Sequence, residues 1–87
     1  MDSFCEISDV NRKEQELKIH QQLEALGKNI VKLRKAKGMT QEDLASACGW
    51  EAPNLRKIEN ARTNPTFKTL SIIADSLGCN LNDLFDV

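Results

Sequence analysis

The sequence predicts an all-α fold of five short helices around one small core, preceded by an N-terminal helical extension. Apolar residues recur three or four positions apart through most of the 87-residue chain, which is the spacing of one face of an α-helix. Glycine or a cap-forming residue stands beside each of these stretches. No stretch of the sequence alternates apolar and polar residues as a half-buried strand does.

The first predicted helix carries an apolar seam with alternating spacings of four and three residues. The seam consists of Ile19, Leu23, Leu26, Ile30 and Leu33, and the helix ends near Gly38. Gly27 lies within it and weakens a helix by about 1 kcal/mol relative to alanine, which allows a bend there. The part before Leu23 belongs to an extension, residues 1–22, that is expected to be partly helical.

Residues 40–60 are predicted to form two short helices joined by a glycine turn. Thr40 is placed to cap the first helix, and Gly49 is expected to adopt a left-handed conformation at its end. Apolar residues with helical spacing mark the buried sides: Leu44, Ala45, Cys48, Leu55 and Ile58. This arrangement is a helix-turn-helix, whose second helix is able to enter the major groove of DNA.

Two further helices are predicted after a polar connection at residues 61–65. The first begins after Thr66 as its cap and ends at Gly78, with an apolar face of Phe67, Leu70, Ile73, Ala74 and Leu77. Asn80 is expected to cap a short last helix whose Leu81, Leu84 and Phe85 point inward.

The formal net charge of the chain is only −1, but the charge is unevenly distributed. Residues 28–63 hold eight basic and four acidic side chains, whereas residues 1–27 and 64–87 carry −3 and −2. Arg56, Lys57 and Arg62 cluster on the second motif helix and the residues after it. Positive charge is therefore concentrated on the motif, as contact with DNA phosphates requires.

Several classes of site and location are disfavoured by the sequence. No apolar run approaches the roughly 20 residues of a membrane span, and the acidic N-terminus lacks a signal-peptide pattern, so a cytoplasmic protein is expected. Cys5, Cys48, Cys79 and His20 offer no zinc-ligand spacing, and Cys48 is expected to be a buried apolar residue. No metal, cofactor or small-molecule ligand is expected. Catalysis is not expected either, because helix capping explains Asp75, Asp83 and Asp86.

Residues 23–87 resemble the Cro/cI-type (Xre-like) helix-turn-helix family, which includes the phage lambda repressor domain. The resemblance is carried by residues 30–34 (IVKLR), 38–45 (GMTQEDLA), 49–50 (GW), 58–60 (IEN), 64–66 (NPT) and 77–85 (LGCNLNDLF). It implies a five-helix lambda repressor-like domain over residues 23–87. It also implies a DNA-binding transcriptional regulator, of repressor or controller type, that binds a two-fold operator in double-stranded DNA as a homodimer.

Glu59 lies beside Leu55 at the edge of the buried side, an unusual place for an unpaired acid. Arg34 is the only basic residue at the edge of the first helix's seam. By resemblance, the two form a structural salt bridge, so Arg34 is not expected to contact DNA. The alternative is two independent surface charges.

The resemblance also implies which residues contact DNA. Gln41 corresponds to a glutamine that touches the DNA backbone at the start of the first motif helix. Base edges or nearby phosphates are assigned to Ala52, Pro53, Asn54 and Lys57, and the phosphate strand to Asn60, Arg62, Thr63 and Asn64. A helical wheel adds Arg56 to the face opposite Leu55. Specific readout is expected to depend mainly on Asn54, Arg56 and Lys57.

Three residues depart from the family pattern. Glu51 replaces the usual serine or threonine cap, which weakens the start of the second motif helix. Pro53 is tolerated in a first helical turn but has no N–H to donate. Ala61 replaces a glycine, and a left-handed conformation there costs about 1–2 kcal/mol.

Two questions about partners stay open at the level of sequence. The resemblance implies a dimer contact through Leu81, Leu84, Phe85 and Val87, while Ile19 and Leu23 extend an apolar seam that could add to it. The N-terminal helix could instead fold back on its own domain. An alternative function is that of an antitoxin or adaptor whose main role is protein–protein interaction.

Overall fold

A computed structural model describes residues 11–85 as an all-helical domain. The α-helices are α1 (Arg12–Ala36), α2 (Gln41–Cys48), α3 (Ala52–Glu59) and α4 (Phe67–Leu77), followed by a 3₁₀-helix at Leu81–Leu84. Within residues 11–85 there is no strand, as predicted. The predicted count of five helices is not supported, because residues 11–85 form four α-helices and the last element in that range is a 3₁₀-helix.

The last element is short because local side-chain and backbone bonds close it within one turn. The Asn80 N–H donates to Asp83 Oδ2 at 3.0 Å, and the Phe85 N–H donates to the Asn82 carbonyl at 3.0 Å. The second bond spans three residues, the spacing of a 3₁₀-helix, and such helices seldom exceed a single turn.

One core contains apolar side chains from all five elements. The fully buried large side chains are Ile30, Leu44, Leu55, Ile73, Leu77 and Leu84. Leu26, Ala45, Ile58, Leu70 and Ala74 complete the buried cluster. Most of these residues lie at the positions that the helical spacing predicted, so burial of these apolar faces drives the packing of the helices.

Asn29 is a buried polar residue that the apolar spacing did not identify. It is 8% exposed, and its Nδ2 donates to the Leu84 carbonyl at 3.0 Å. That carbonyl lies in the 3₁₀ turn, so the bond attaches the end of the domain to the middle of α1.

All four α-helices end with the same pair of backbone bonds. At each end one residue donates to a carbonyl three positions back, and the following residue donates to one five positions back. This is the Schellman motif, which places its penultimate residue at positive φ. The residues concerned are Gly38, Gly49, Ala61 and Gly78, with φ of +71°, +80°, +58° and +71°.

Ala61 is the one member of this set with a side chain. Its left-handed backbone costs about 1–2 kcal/mol. The methyl group is buried, with 7% of the residue exposed, and burial of one carbon returns about 0.8 kcal/mol. The two terms are similar in size, so the chain tolerates alanine where glycine is usual.

Helix α1 continues without interruption through Gly27 and across the expected boundary between residues 22 and 23. Residues 12–22 are all exposed, and burial begins at Leu23. The N-terminal turns therefore project from the domain instead of folding back on it. Residues 1–10, the other part of the predicted extension, lie outside the described residues.

Two residues predicted to face inward are exposed instead. Phe67 is 72% exposed and Phe85 is 51% exposed. Phe67 is the first residue of α4, and Phe85 follows the last turn of the 3₁₀-helix. Both residues lie at the ends of their elements and stay exposed among residues 11–85, so helical spacing alone overestimates burial.

Gly27 permits a close approach of α1 to the last residue of α3. A Cβ placed on it would overlap the Glu59 carbonyl oxygen and lie 2.8 Å from the carbonyl carbon. Both obstructing atoms are backbone, which cannot move aside as a side-chain tip does. The glycine is thus required for packing.

We expect Gly27→Ala to lower the free energy of unfolding by about 1–3 kcal/mol, because overpacking forces the two helices apart. Helix propensity alone predicts the opposite, an increase of about 1 kcal/mol in the free energy of unfolding. Urea denaturation decides between them. The neighbouring exposed residue gives a control, Lys28→Ala, which should change stability by no more than about 0.5 kcal/mol. A more stable Gly27→Ala variant would contradict the close approach.

Candidate nucleic-acid interface

Helices α2 and α3 are joined by residues 49–51, and the two helices begin differently. Thr40 Oγ1 accepts from the Asp43 N–H at 3.0 Å, while the Thr40 N–H donates to Asp43 Oδ2 at 2.9 Å. This reciprocal capping box confirms Thr40 as the cap of α2. The backbone bond from Thr40, followed by its side-chain bond, lowers the pKa of Asp43. The capping box therefore contributes fully to the stability of the fold above the ordinary pKa of aspartate. That contribution is lost as the pH falls through the lowered pKa of Asp43.

Helix α3 has no side-chain cap. Glu51 occupies the cap position in an extended conformation and makes no capping bond, and Pro53 lies in the first turn. The predicted weakness of this helix start is therefore present. Because eight residues form a marginal helix in isolation, contacts with α1 and α2 must hold α3 in place.

A buried ion pair joins α1 to the end of α3. Arg34 Nε donates to Glu59 Oε2 at 2.8 Å, and Nη2 donates to Oε1 at 3.3 Å. The third nitrogen, Nη1, donates to the Met39 carbonyl at 3.0 Å. The Arg34 and Glu59 side chains are only 9% and 1% exposed. The guanidinium thus lies inside the domain, consistent with the exclusion of Arg34 from the predicted DNA contacts.

Gln41 extends this ion pair to the protein surface. Its Nε2 donates to Glu59 Oε1 at 2.7 Å, and its Oε1 accepts from Arg56 Nε at 3.3 Å. The predicted DNA-backbone residue therefore also connects the buried carboxylate to an exposed cation. Such a connection between α2 and α3 could not be derived from the spacing of the two residues in the sequence.

The other predicted DNA-contact residues form one exposed surface on α3 and the segment that follows it. Asn54, Arg56, Lys57, Asn60, Arg62, Thr63, Asn64 and Pro53 are exposed, and Ala52 is half-buried. Two shallow hollows meet at Lys57. One is lined by Pro53, Arg56, Lys57, Asn60 and Arg62. The other includes Asn54, Lys57, Thr63 and Asn64 among its lining residues.

The second hollow contains a cation that the sequence reasoning missed. Lys68, in the first turn of α4, lines it together with Trp50. Lys68 is the only basic residue in the segment 64–87 and lies two positions after Thr66. That isolation within an otherwise acidic segment was a signal that could have identified it.

The Arg62 backbone is fixed by the end of α3. Its N–H donates to the Lys57 carbonyl at 2.8 Å as part of the Schellman motif around Ala61. The backbones of Lys57 and Arg62 therefore belong to one hydrogen-bonded turn, and both side chains are exposed.

The residues assigned to a dimer contact divide into exposed and buried groups. Ile19 and Phe85 are 46% and 51% exposed, and Leu23 and Leu81 are half-buried. Leu84 is 0% exposed. The assignment of Leu84 to a dimer surface is therefore wrong, because its side chain is enclosed by its own core. Val87 lies outside the described residues.

Cys48 and Cys79 are half-buried free cysteines. Burial raises the pKa of both thiols, and Asp83 adds to the effect at Cys79. Cys48 is half-buried against the core, and its Sγ donates to Ser76 Oγ at 3.4 Å.

Residues 11–85 contain no group of three possible metal ligands. In that range no helix has the length and apolarity needed to cross a membrane.

Comparison of sequences agrees with this geometry. The sequence profile of the helix-turn-helix family matches residues 30–84. Over 53 residues the chain is 40% identical to y4dJ of Sinorhizobium fredii, an uncharacterised HTH-type transcriptional regulator, covering 61% of this chain and 69% of that protein. Over 61 residues it is 33% identical to DdrOP3 of Deinococcus deserti, an HTH-type transcriptional regulator, covering 70% of this chain and 47% of that one.

Solved structures of regulators share the fold. The restriction-modification controller protein C.AhdI from Aeromonas hydrophila gives a TM-score of 0.71 at 28% identity, covering 72% of this chain and 96% of that one. The clp gene regulator ClgR from C. glutamicum gives a TM-score of 0.68 at 29% identity, covering 71% of this chain and 80% of that one. A hypothetical transcription factor, NHTF, from Neisseria gives a TM-score of 0.72 at 28% identity, covering 77% of this chain and 78% of that one.

The buried ion pair yields a prediction about stability. Glu59→Ala should lower the free energy of unfolding by about 3–5 kcal/mol, because it leaves the buried Arg34 charge without its partner. Replacing both residues by alanine should cost less than the sum of the single changes, since the double variant leaves no unpaired charge. Urea denaturation of the three variants measures the coupling.

Glu42 is an exposed acid of α2 that lies outside the capping box, and Glu42→Ala provides the control, for which a change of less than about 1 kcal/mol is expected. Additive costs for Arg34→Ala and Glu59→Ala would show that the two side chains do not stabilise one another.

Proposed function

This chain belongs to the helix-turn-helix family of transcriptional regulators, and we propose that it binds a two-fold DNA operator as a homodimer through α3. The proposal is supported above all by the surface around Lys57. There, cationic and amide side chains are exposed on one side of α3, while Leu55, Ile58 and Glu59 anchor its other side. A helix held in this way can lie in the major groove with its outer face toward the bases.

The roles of the surface residues follow from their chemistry. Lys57 and Arg56 are donors suited to the O6 and N7 acceptors of guanine, and the Asn54 amide suits adenine. Arg62 and Asn60 lie at the end of α3, where backbone phosphates would pass, and Lys68 adds a cation from α4. Pro53 and Ala52 can make only apolar side-chain contacts, for example with a thymine methyl group.

We assign the dimer contact to a hollow between α1 and the last turn. Ile19 and Phe85 are exposed apolar residues at its edges, and Leu23, Pro65 and Leu70 also line it. This hollow replaces the predicted surface that included Leu84. Binding to a two-fold operator requires that the two α3 helices of such a dimer lie about 34 Å, one DNA turn, apart.

Substitutions in the α3 surface test DNA binding. Lys57→Ala should weaken binding to a duplex enriched by the wild type from a random-sequence library by about 1–3 kcal/mol and relax base preference. Arg62→Ala should weaken enriched and scrambled duplexes alike and reduce the salt dependence by about one phosphate. Gel-shift titration at several salt concentrations measures both effects.

A cation on the projecting part of α1 supplies the control, Lys18→Ala, which should bind both duplexes like the wild type. If Lys57→Ala and Arg62→Ala also bound normally, the α3 surface would not be the interface. A folded wild-type protein that enriched no sequence would favour the adaptor function instead.

Substitutions in the hollow test the dimer. Phe85→Lys and Ile19→Lys should shift the protein toward monomer at micromolar concentration, because an isologous contact brings each new charge near its own copy. Sedimentation velocity gives the oligomeric state, and circular dichroism checks the fold.

The control is Leu17→Lys. Leu17 is an apolar residue of α1 that is 60% exposed but lines a separate hollow with Glu14, Lys18 and Gln21. A wild-type protein that is monomeric at these concentrations, or hollow variants that remain dimeric, would refute this assignment.

A further inference from the structure

We infer that Gln41 is a positioning residue that orients the Arg56 guanidinium for DNA recognition, using the buried Glu59 carboxylate to set its own amide. The inference rests on the proposed function, since it assigns to Arg56 a contact with DNA. It differs from the predicted role of Gln41, which was a contact of its own with the DNA backbone.

The Glu59 carboxylate determines which end of the Gln41 amide faces the core. An ionised carboxylate only accepts hydrogen bonds, so the amide must turn its NH₂ group toward Glu59. The distance of 2.7 Å between Gln41 Nε2 and Glu59 Oε1 is that of a charge-assisted hydrogen bond. The Arg34 ion pair in turn holds the carboxylate in place. The orientation of the amide is therefore imposed by a group that is buried and fixed.

The amide oxygen is consequently directed to the surface, where it accepts from Arg56 Nε at 3.3 Å. Using Nε leaves both terminal nitrogens of Arg56 for DNA, and these form the planar pair of donors that suits guanine or a phosphate. An exposed arginine loses side-chain freedom when it binds, and a bond already formed in the free protein reduces that loss.

The next residue along α3 provides an internal comparison. Lys57 is exposed like Arg56 and lies beside it in the hollow with Pro53, Asn60 and Arg62. The hydrogen bonds of Gln41 go to Glu59 and Arg56 instead. Removing the Gln41 amide should thus affect recognition by Arg56 and leave recognition by Lys57 unchanged.

The test is a double-mutant cycle with Gln41→Met, which keeps the length of the side chain but removes the amide. The probes are a duplex enriched by the wild type from a random-sequence library and a scrambled duplex of the same composition. Gln41→Met should weaken binding to the enriched duplex by about 3- to 10-fold and flatten preference at the base pair or pairs that Arg56→Ala affects. Binding to the scrambled duplex should change by less than about 2-fold.

The decisive result is the coupling between Gln41 and Arg56 in the free energy of DNA binding. In an Arg56→Ala background, Gln41→Met should weaken binding to the enriched duplex by less than about 2-fold, whereas in a Lys57→Ala background its full effect should remain. Circular dichroism of each variant shows that the fold is retained. Should Gln41→Met prove unfolded, Gln41→Ala takes its place in the same cycle.

Two other outcomes overturn the inference in distinguishable ways. An equal loss on both duplexes, additive with Arg56→Ala, would make Gln41 a phosphate contact and leave the proposed function intact. A wild-type protein that bound the enriched and scrambled duplexes equally would overturn the proposed function and this inference together.

Discussion

The position of α3 depends on the contact between its last turn and α1. Two features create that contact: the missing side chain at Gly27, which lets the helices approach to backbone distance, and the Arg34–Glu59 ion pair. The glycine sets how close the helices lie, and the two-pronged geometry of the ion pair fixes their rotation. The outer surface of α3, where Arg56 and Lys57 are exposed, is directed by these two constraints.

An ion pair buried to this degree is not primarily a source of stability. Removing two charges from water costs several kcal/mol each, and a well-packed apolar pair would stabilise a core equally well or better. Here the desolvation is offset by two additional hydrogen bonds: Arg34 donates to the Met39 carbonyl, and Gln41 donates to the Glu59 carboxylate. What the pair adds beyond an apolar contact is direction, because its hydrogen bonds form at only one relative orientation of the helices. A regulator whose α3 must meet DNA at a fixed angle has a use for that direction.

Much of the fold could be predicted because its signals are local. Helical spacing located the four α-helices, and Thr40, Gly49 and Gly78 marked termini that the structure confirms. Spacing failed where burial depends on distant elements: Phe67 has the predicted spacing but is exposed, and the polar Asn29 is buried and donates to a carbonyl of the last turn. Gly27 shows the same limit, since propensity suggested a bend while the tertiary contact requires its missing Cβ. The Gln41–Arg56 bond joins two helices, which no spacing rule specifies.

Helix α3 combines an important surface with poor intrinsic helix-forming features. It lacks a capping bond at Glu51, has in its first turn a proline that is tolerated there but cannot donate a hydrogen bond, and is followed by Ala61 in a left-handed conformation. None of these features favours the helix, and eight residues would be marginal in water even with ideal termini. Its formation must therefore come from the buried side, where Leu55 and Ile58 join the core and Glu59 pairs with Arg34. Because that side contains none of the residues proposed to contact DNA, the exposed side can change in sequence without loss of the helix. The division between an anchoring side and a recognition side thus permits new DNA specificities to arise on an unchanged fold.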